Sequence, residues 1–318
     1  ISVAGQLCKE STSSANHYFV STTGHDYKGN GTRTKPWRTI DFAVYKAKEG
    51  STIIVMPGTY NGAIRIKKAF KKGVLIKSEF PYLAKLTHDA RVLAIVGNAS
   101  NLTLEGFEIT HSNTNAQPLV VHIDGYGQNT VHHITLRNNI IHDSFNNDLL
   151  KINNGASHII VECNMFYNQG DSDEHIDINS VSHVRVSDNL FFNDFAQSGR
   201  NITGKSSSYI VIKDSNGQED QFIGAMNINI YRNIFFNWQG SQGHGFLLVG
   251  EDGKPYFEAQ NVDIANNLMI GNSLLPMRSP FGIKGAKNVS FYQNSVFGDL
   301  PSKAFAMRIN TEGENPVN

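Results

Sequence analysis

The 318-residue sequence contains only two cysteines, Cys8 and Cys163, too few for a disulfide framework. They can form one bridge or remain two free thiols, and the sequence leaves both open. An excess of either charge is also lacking, since Lys and Arg total 28 and Asp and Glu total 28. That balance argues against a nucleic-acid binder carried by bulk charge. No apolar run approaches the ~20 residues of a membrane span. The chain opens at Ile1 with neither a Met nor an apolar leader, which reads as a mature, secreted product whose targeting peptide is gone. Hydrophobic residues make up 40%, which suits a soluble globular protein. Sequons at Asn30, Asn98, Asn101, Asn201 and Asn288 arise by chance in so Asn-rich a chain and carry no argument.

What is present is an N-terminal helix pattern followed by a repeat. In PWRTIDFAVYKAK (36–48), Trp37, Ile40, Ala43, Val44 and Ala47 recur at helical spacing. GSTIIVMPGTY (50–60) then reads as a short β-branched strand closed by a Pro-Gly turn. One helix ahead of a long β array predicts a cap over one end of a core. From about Val92 the chain repeats itself: ITLRNNIIHD (134–143), IIVECNMFYN (159–168), VRVSDNLFFN (184–193), INIYRNIFFN (228–237), VDIANNLMIG (262–271) and VSFYQNSVFG (289–298). A shared Asn recurs at 139, 164, 189, 233, 267 and 294. The base period lies near 25 residues, with insertions at fixed points, as in a solenoid. The strands are short and β-branched and no helical pattern separates them, so the expected fold is an all-β parallel β-helix. The recurring Asn should form a buried ladder, with Phe166, Phe191, Phe235, Met269 and Val296 stacked beside it. The whole chain, 1–318, reads as one solenoid domain, with 1–60 as cap and first strands and 92–318 as regular coils. It stops at Asn318 without an evident capping element, which points to a processed or truncated chain or a missing partner segment.

A second strand recurs in each coil: LAIVG, VHIDG, LKINN, IDINS, IVIKD, LLVGE, FGIKG and MRINT. Alternation turns Ile123, Ile152, Ile178, Ile212, Val249, Ile283 and Ile309 inward and their neighbours toward solvent. The outward set is His122, Asp124, Lys151, Asn153, Asp177, Asn179, Lys213, Lys284 and Arg308, with His175 and Tyr209 one step earlier. The long insertions 194–208 and 214–226 enter and leave this face, as groove walls do. The stretch DSDEHIDIN (171–179) places Asp171, Asp173, Glu174 and Asp177 within seven residues, with no Lys or Arg among them. Like charges so close call for a positive partner, and oxygen ligands suit a hard cation such as Ca²⁺. Asp148, at the start of the preceding strand, offers a fourth ligand.

An acidic D-[DE]-x-x-D group followed one coil later by a lysine resembles the pectate-lyase-like polysaccharide lyases, which are right-handed parallel β-helices, and polysaccharide lyase family 9 above all. The resemblance implies Ca²⁺ on Asp173, Glu174 and Asp177, joined by Asp148, and Lys213 as Brønsted base. The sequence departs from that family in having Glu174 where Asp is usual, and in a one-residue offset of Asp148. The implied chemistry is β-elimination from a uronate. A cation on the substrate carboxylate lets charge develop as the C5 proton leaves, and a base must reach that proton. Arg308, Arg200, Lys205 and Lys284 are candidates to grip substrate carboxylates, though Arg200 and Lys205 also suit a solubilising Gly/Ser-rich loop. Tyr209 and His175 are candidate proton donors or sugar-binding groups. Asn179, Asn153, His122 and Lys151 complete the expected substrate-binding face. At equivalent positions on adjacent coils, Lys151 and Asp177 read as a lateral surface ion pair rather than a catalytic couple. His122 and Asp124 read as solvated groove residues.

The leading expectation is a secreted, Ca²⁺-dependent lyase for an acidic polysaccharide such as pectate. An alginate lyase using Lys213 with Arg308 or Arg200 is the nearest alternative. A glycoside hydrolase with two of the carboxylates as acid and base, or a non-catalytic glycan-binding β-helix, would use the same scaffold.

Overall fold

A computed structural model describes residues 8, 11, 16–126, 130–171, 173–200, 206–220, 222–240, 243–271, 275–298, 305–311 and 313–316. Among them the chain winds a right-handed parallel β-helix whose three sheets hold ten, nine and nine strands. Each coil visits them in a fixed order. A strand such as Ser182–Ser187 enters the ladder sheet, Leu190–Phe192 the aromatic sheet, and Ile210–Lys213 the sheet that carries the predicted polar face. The winding begins earlier than the repeat suggests. Thr52–Val55, Gly58–Asn61 and Ile64–Ile66 already take one place in each sheet. The early coils lack the sequence marker, because Phe107, whose amide is taken by Asn139 Oδ1 at 3.0 Å, holds the place before the ladder's first Asn.

The ladder itself forms as the repeat predicts. Asn164 Oδ1 accepts the backbone N–H of Asn139 at 2.9 Å and its side-chain amide at 3.1 Å. Asn189, Asn233, Asn267 and Asn294 continue the same pattern from coil to coil. Each side chain also donates to a backbone carbonyl, as Asn189 does to Val161 at 2.9 Å. Polar groups buried at this corner are thereby satisfied, which makes them affordable inside an apolar solenoid. Beside them Phe166, Phe191 and Phe235 stack at 5.1 and 4.9 Å.

Every ladder Asn follows a residue in the left-handed region: Asn138, Cys163, Asp188, Arg232, Asn266 and Gln293, with φ between 53° and 61°. That conformation turns the chain sharply between two sheets. Cys163 is one of these corner residues and is bridged to Cys8, with 5.9 Å between their Cα atoms. The bridge closes one of the alternatives left open by the sequence.

The predicted cap is a helix, Ile40–Lys46, with Thr39 Oγ1 accepting from Phe42 N at 3.3 Å as its N-cap. Asp26 in turn accepts from the N–H groups of Arg38 and Thr39. Trp37, Ile40, Ala43, Val44 and Ala47 are all buried, and the helix packs on His17–Val20, Thr52–Val55 and Ile64–Ile66. At the other end Met307 and Ile309 of the last strand are exposed. No described helix is long and apolar enough to cross a membrane.

Candidate metal and substrate site

The polar sheet has the register that the sequence pattern anticipates. His122, Lys151, Asp177 and Val211 stand side by side in one outward row, and Asp124, Asn153, Asn179 and Lys213 in the next. Ile123, Ile152, Ile178 and Ile212 between them are fully buried. The outward residues, however, are not solvated. Asp177 is 1% exposed, Asn179 4%, His122 6% and Asp124 8%. The loop after Lys213 folds back against the sheet. Ser215, for example, takes both polar ends of the Asn179 side chain. Asp214 anchors the same loop by accepting the N–H groups of Asn216, Gly217 and Gly224.

Under this cover three carboxylates converge. One oxygen each from Asp148, Glu174 and Asp177 lies within 4.8 Å of the other two, and all three residues are buried. Asp148 Oδ1 also accepts the Glu174 N–H at 2.9 Å, which sets the turn before the strand. The ligand set thus differs from the predicted one in its membership. Asp148 belongs to it despite its offset, whereas Asp173 stands outside the triad and accepts from Asn147 Nδ2 at 3.1 Å. Burial first, and then each neighbour's charge, raises the Asp148 carboxyl and lifts Glu174 well above the usual carboxylate range. Asp173 is pushed up to about 7 by burial and by Asp148. Desolvated carboxylates this close hold protons or a cation.

Two lysines border the triad. Lys151 Nζ lies 2.5 Å from Asp177 Oδ2. The predicted lateral pair therefore exists, but it is not a surface pair, since the Asp177 side chain is only 2% exposed. Lys213 Nζ lies 2.5 Å from Glu251 Oε2. Burial alone would lower its pKa, but Asp177, Glu174 and Glu251 together outweigh that and raise it. Glu251 was overlooked in the sequence although it ends the quoted strand motif LLVGE. It comes just after a site-sheet strand, where alternation no longer assigns a face.

Several predicted site residues lie elsewhere. Tyr209 and His175 are fully buried in the core, with rings stacked at 4.2 Å. The Tyr209 hydroxyl donates to the carbonyls of Asn237 and Phe236, and burial lowers the His175 pKa to about 3. Both precede the first paired residue of their strands, where the chain still turns and alternation does not hold, so neither reaches the groove. Arg200 donates to the carbonyls of Asn168 and Gln169 and lies over the rings of Phe145 and Phe195. It locks its loop rather than gripping substrate. Arg308 stands on the outward row but three strands beyond Lys213, roughly 14 Å at the usual spacing. Neither arginine therefore forms a catalytic pair with Lys213. Lys284 is two strands from Lys213. Lys205 lies outside the described residues. Asn153 is hydrogen-bonded to His122 Nε2 at 2.8 Å, and burial followed by Arg91 lowers the His122 pKa to about 4.

Residues 22–70 match a family model described as a protein of unknown function (DUF1565). No curated protein matches the sequence. The alginate lyase from Paenibacillus sp. str. FPU-7 superposes with a TM-score of 0.56 at 15% identity, covering 86% of this chain and 93% of that one. Pectate lyase Pel9A gives 0.56 at 15%, covering 95% and 78%. The fold is that of the pectate-lyase-like β-helices. A GH136 lacto-N-biosidase from Eubacterium ramulus is similar too, at 0.55 and 10% identity over 93% and 68%. This β-helix therefore serves lyases and glycosidases alike, and activity has to be argued from the site.

Proposed function

We propose that the protein is a polysaccharide lyase acting on a uronate polymer such as pectate or alginate. The observation that carries this reading is the buried triad of Asp148, Glu174 and Asp177, with Asp177 Oδ1 left without a hydrogen-bond partner. An orphaned buried carboxylate oxygen costs several kcal/mol unless a cation meets it. Three hard oxygen donors fit Ca²⁺ better than a softer metal. Bound there, Ca²⁺ would stabilise charge developing on the substrate carboxylate and offset the charges of Asp177 and Glu174 that hold the Lys213 proton.

The protein's own groups do the rest. Lys213 lies on the strand after Asp177 and faces the same side, within reach of a sugar laid across the row. To act as base its ammonium must first give up a proton to water, and Glu251, 2.5 Å away, orients the amine on the row. The neutral amine then takes the C5 proton of the uronate, and the C4–O bond breaks as the C4–C5 double bond forms. The leaving oxygen takes its proton from water, since Tyr209 and His175 are enclosed in the core. Asn153 stands on the same row beside Asn179, whose own polar ends are taken by Ser215. The Cys8–Cys163 bridge is compatible with an extracellular protein.

The product of such a cleavage carries a conjugated double bond and absorbs in the ultraviolet. Following that absorbance over pectate, alginate and glycosaminoglycans tests the reading directly. A rise on at least one uronate polymer is expected. New reducing ends without a rise in absorbance would make the protein a hydrolase, and binding without either would make it a glycan-binding module.

A further inference from the structure

The ladder sheet carries a second row of equivalent residues on its outer surface, one per coil. Asn101, His133, His158, His183, Asn227, Asn261 and Asn288 all lie in the left-handed region, with φ between 54° and 59°. Each falls between two paired residues of its strand, as His133 does between His132 and Ile134. That conformation favours asparagine and admits histidine. Asparagine meets the demand at both ends of the row. Three histidines fill its middle, and what they add is the ring nitrogen.

The three rings are exposed and lie flat on one another, 4.6 Å apart and 2° and 4° from parallel. The asparagines beside them set the state of the stack. Asn288 Nδ2 donates to Asn261 Oδ1 at 3.1 Å, and Asn261 Nδ2 to Asn227 Oδ1 at 3.2 Å. Asn227 therefore turns its own Nδ2 toward His183 Nε2, at 3.3 Å, where only an unprotonated nitrogen can accept it. Burial, followed by the charges of His133 and His183, lowers the His158 pKa. Protonated rings at this spacing would repel one another, so the row presents unprotonated nitrogen to solvent.

One pair of nitrogens stands at chelating distance. The rings of His132 and His133 are 85° apart, with Nδ1 of one 2.8 Å from Nδ1 of the other. Two nitrogens bound ~2.0–2.1 Å from one ion at a right angle are about 2.9 Å apart. The pair shares an N–H···N bond, and moving that proton to Nε2 of its own ring frees both lone pairs. His158, one strand along and stacked on His133, is held by that stacking and by Ser157 Oγ at 3.3 Å. Turning this exposed ring about its χ2 bond brings a third nitrogen to the pair.

We infer that His132, His133 and His158 form a surface site for a divalent transition ion that prefers imidazole nitrogen. Cu²⁺ is bound most tightly there, and Ni²⁺ and Zn²⁺ less so. The site is distinct from the carboxylate triad in place and in chemistry. It lies on the ladder sheet instead of the polar sheet, and nitrogen donors select against Ca²⁺, which takes oxygen.

The test is a calorimetric titration of the full-length protein with Cu²⁺ at neutral pH, with excess Ca²⁺ present to occupy the triad. Electron paramagnetic resonance of the complex counts the nitrogen ligands. The wild type should bind one Cu²⁺ at this site with splitting from two or three imidazole nitrogens. His133→Asn and His158→Asn place there the residue that the row uses on its other coils. Both should bind Cu²⁺ at least tenfold more weakly, and the spectrum of each should lose nitrogen splitting. Metal-free melts of the two variants should match the wild type, and if one melts early the nitrogen count on the wild type still decides. Undiminished affinity in both variants, or a wild-type spectrum with oxygen ligands alone, overturns the site.

Discussion

Lys151 Nζ and Asp177 Oδ2 face each other at 2.5 Å across adjacent strands, while the second oxygen of the same carboxylate is buried without a partner. One aspartate thus has one oxygen paired by the protein and the other left for a cation. Lys151 places a positive charge beside the proposed cation. Replacing it, as Lys151→Gln, should raise Ca²⁺ affinity about tenfold by removing that repulsion. In EDTA the same variant should melt earlier than the wild type, because the buried Asp177 carboxylate loses the ammonium bonded to it. Calorimetric Ca²⁺ titration reads the first effect, and weaker binding by the variant would argue against a cation in the triad.

Lys213→Ala is expected to abolish turnover of the uronate polymer and to leave the circular dichroism spectrum unchanged. Glu251→Gln should lower the Lys213 pKa and move the rising limb of the pH–rate profile to lower pH, because Glu251 is one of the charges that hold the proton on the ammonium. A fully active Lys213→Ala protein would end the assignment of the base. Undiminished activity in EDTA would take Ca²⁺ out of the chemistry.

Asn189→Ala should cost about 3 kcal/mol or more of stability. It orphans the buried N–H of Asn164, takes an acceptor from the Asn164 side-chain amide, and removes the side-chain donor to the Val161 carbonyl and to Asn233 Oδ1, which keeps the backbone N–H of residue 189. Urea unfolding measures this loss. A change below about 1 kcal/mol would mean that the ladder contributes shape and not stability.

A pH-dependent contribution lies on the aromatic sheet, away from the candidate site. His142 is bonded to Asp143 Oδ2 at 2.7 Å and to Glu108 Oε1 at 3.1 Å. Burial would lower its pKa, but those two carboxylates raise it above 6.5. The hydrogen bond from His142 is the main cause that takes Glu108 down to about 2. A raised histidine stabilises the fold fully below 6.5, and that contribution fades as pH climbs through the folded value. A lowered glutamate stabilises above 4.5, and its contribution fades as pH falls toward 2. The melting temperature lost in His142→Gln should therefore be largest between these limits, near pH 5–6, and should shrink by about pH 9. A difference independent of pH would mean that only the stacking on Tyr167, at 4.6 Å, had been lost.

Reduction of the Cys8–Cys163 bridge, or Cys163→Ser, should lower the melting temperature. The bridge links residues 155 apart, for which unfolded-chain entropy alone allows up to ~5 kcal/mol. Melts with and without reductant decide it.

The architecture was legible in the sequence wherever a residue's role repeats every coil. The Asn and Phe positions recur because each must meet its counterpart one strand spacing away, and the helix over Ile40–Lys46 shows itself through Trp37, Ile40, Ala43, Val44 and Ala47. The coil before Asn139 was harder to see because Phe107 holds the ladder position there in place of Asn. Strand alternation also placed Asp177 and Lys213 on one face correctly, since both lie inside paired strands. It misplaced His175 and Tyr209, which sit one residue before pairing begins, where the turn rather than the pleat sets direction.

The sequence by itself determined the periodic part: a parallel β-helix with an Asn ladder, an N-terminal cap and an acidic stretch beside a lysine. Only the tertiary structure decided what is not periodic. It left Asp173 outside the cluster of Asp148, Glu174 and Asp177, buried the Lys151–Asp177 pair, gave Lys213 its partner Glu251 and turned Arg200 into a loop anchor. The reason is that a solenoid's pleat is dictated locally, residue by residue. The folding of the loop after Lys213 back against one sheet depends on contacts between coils that no single repeat encodes.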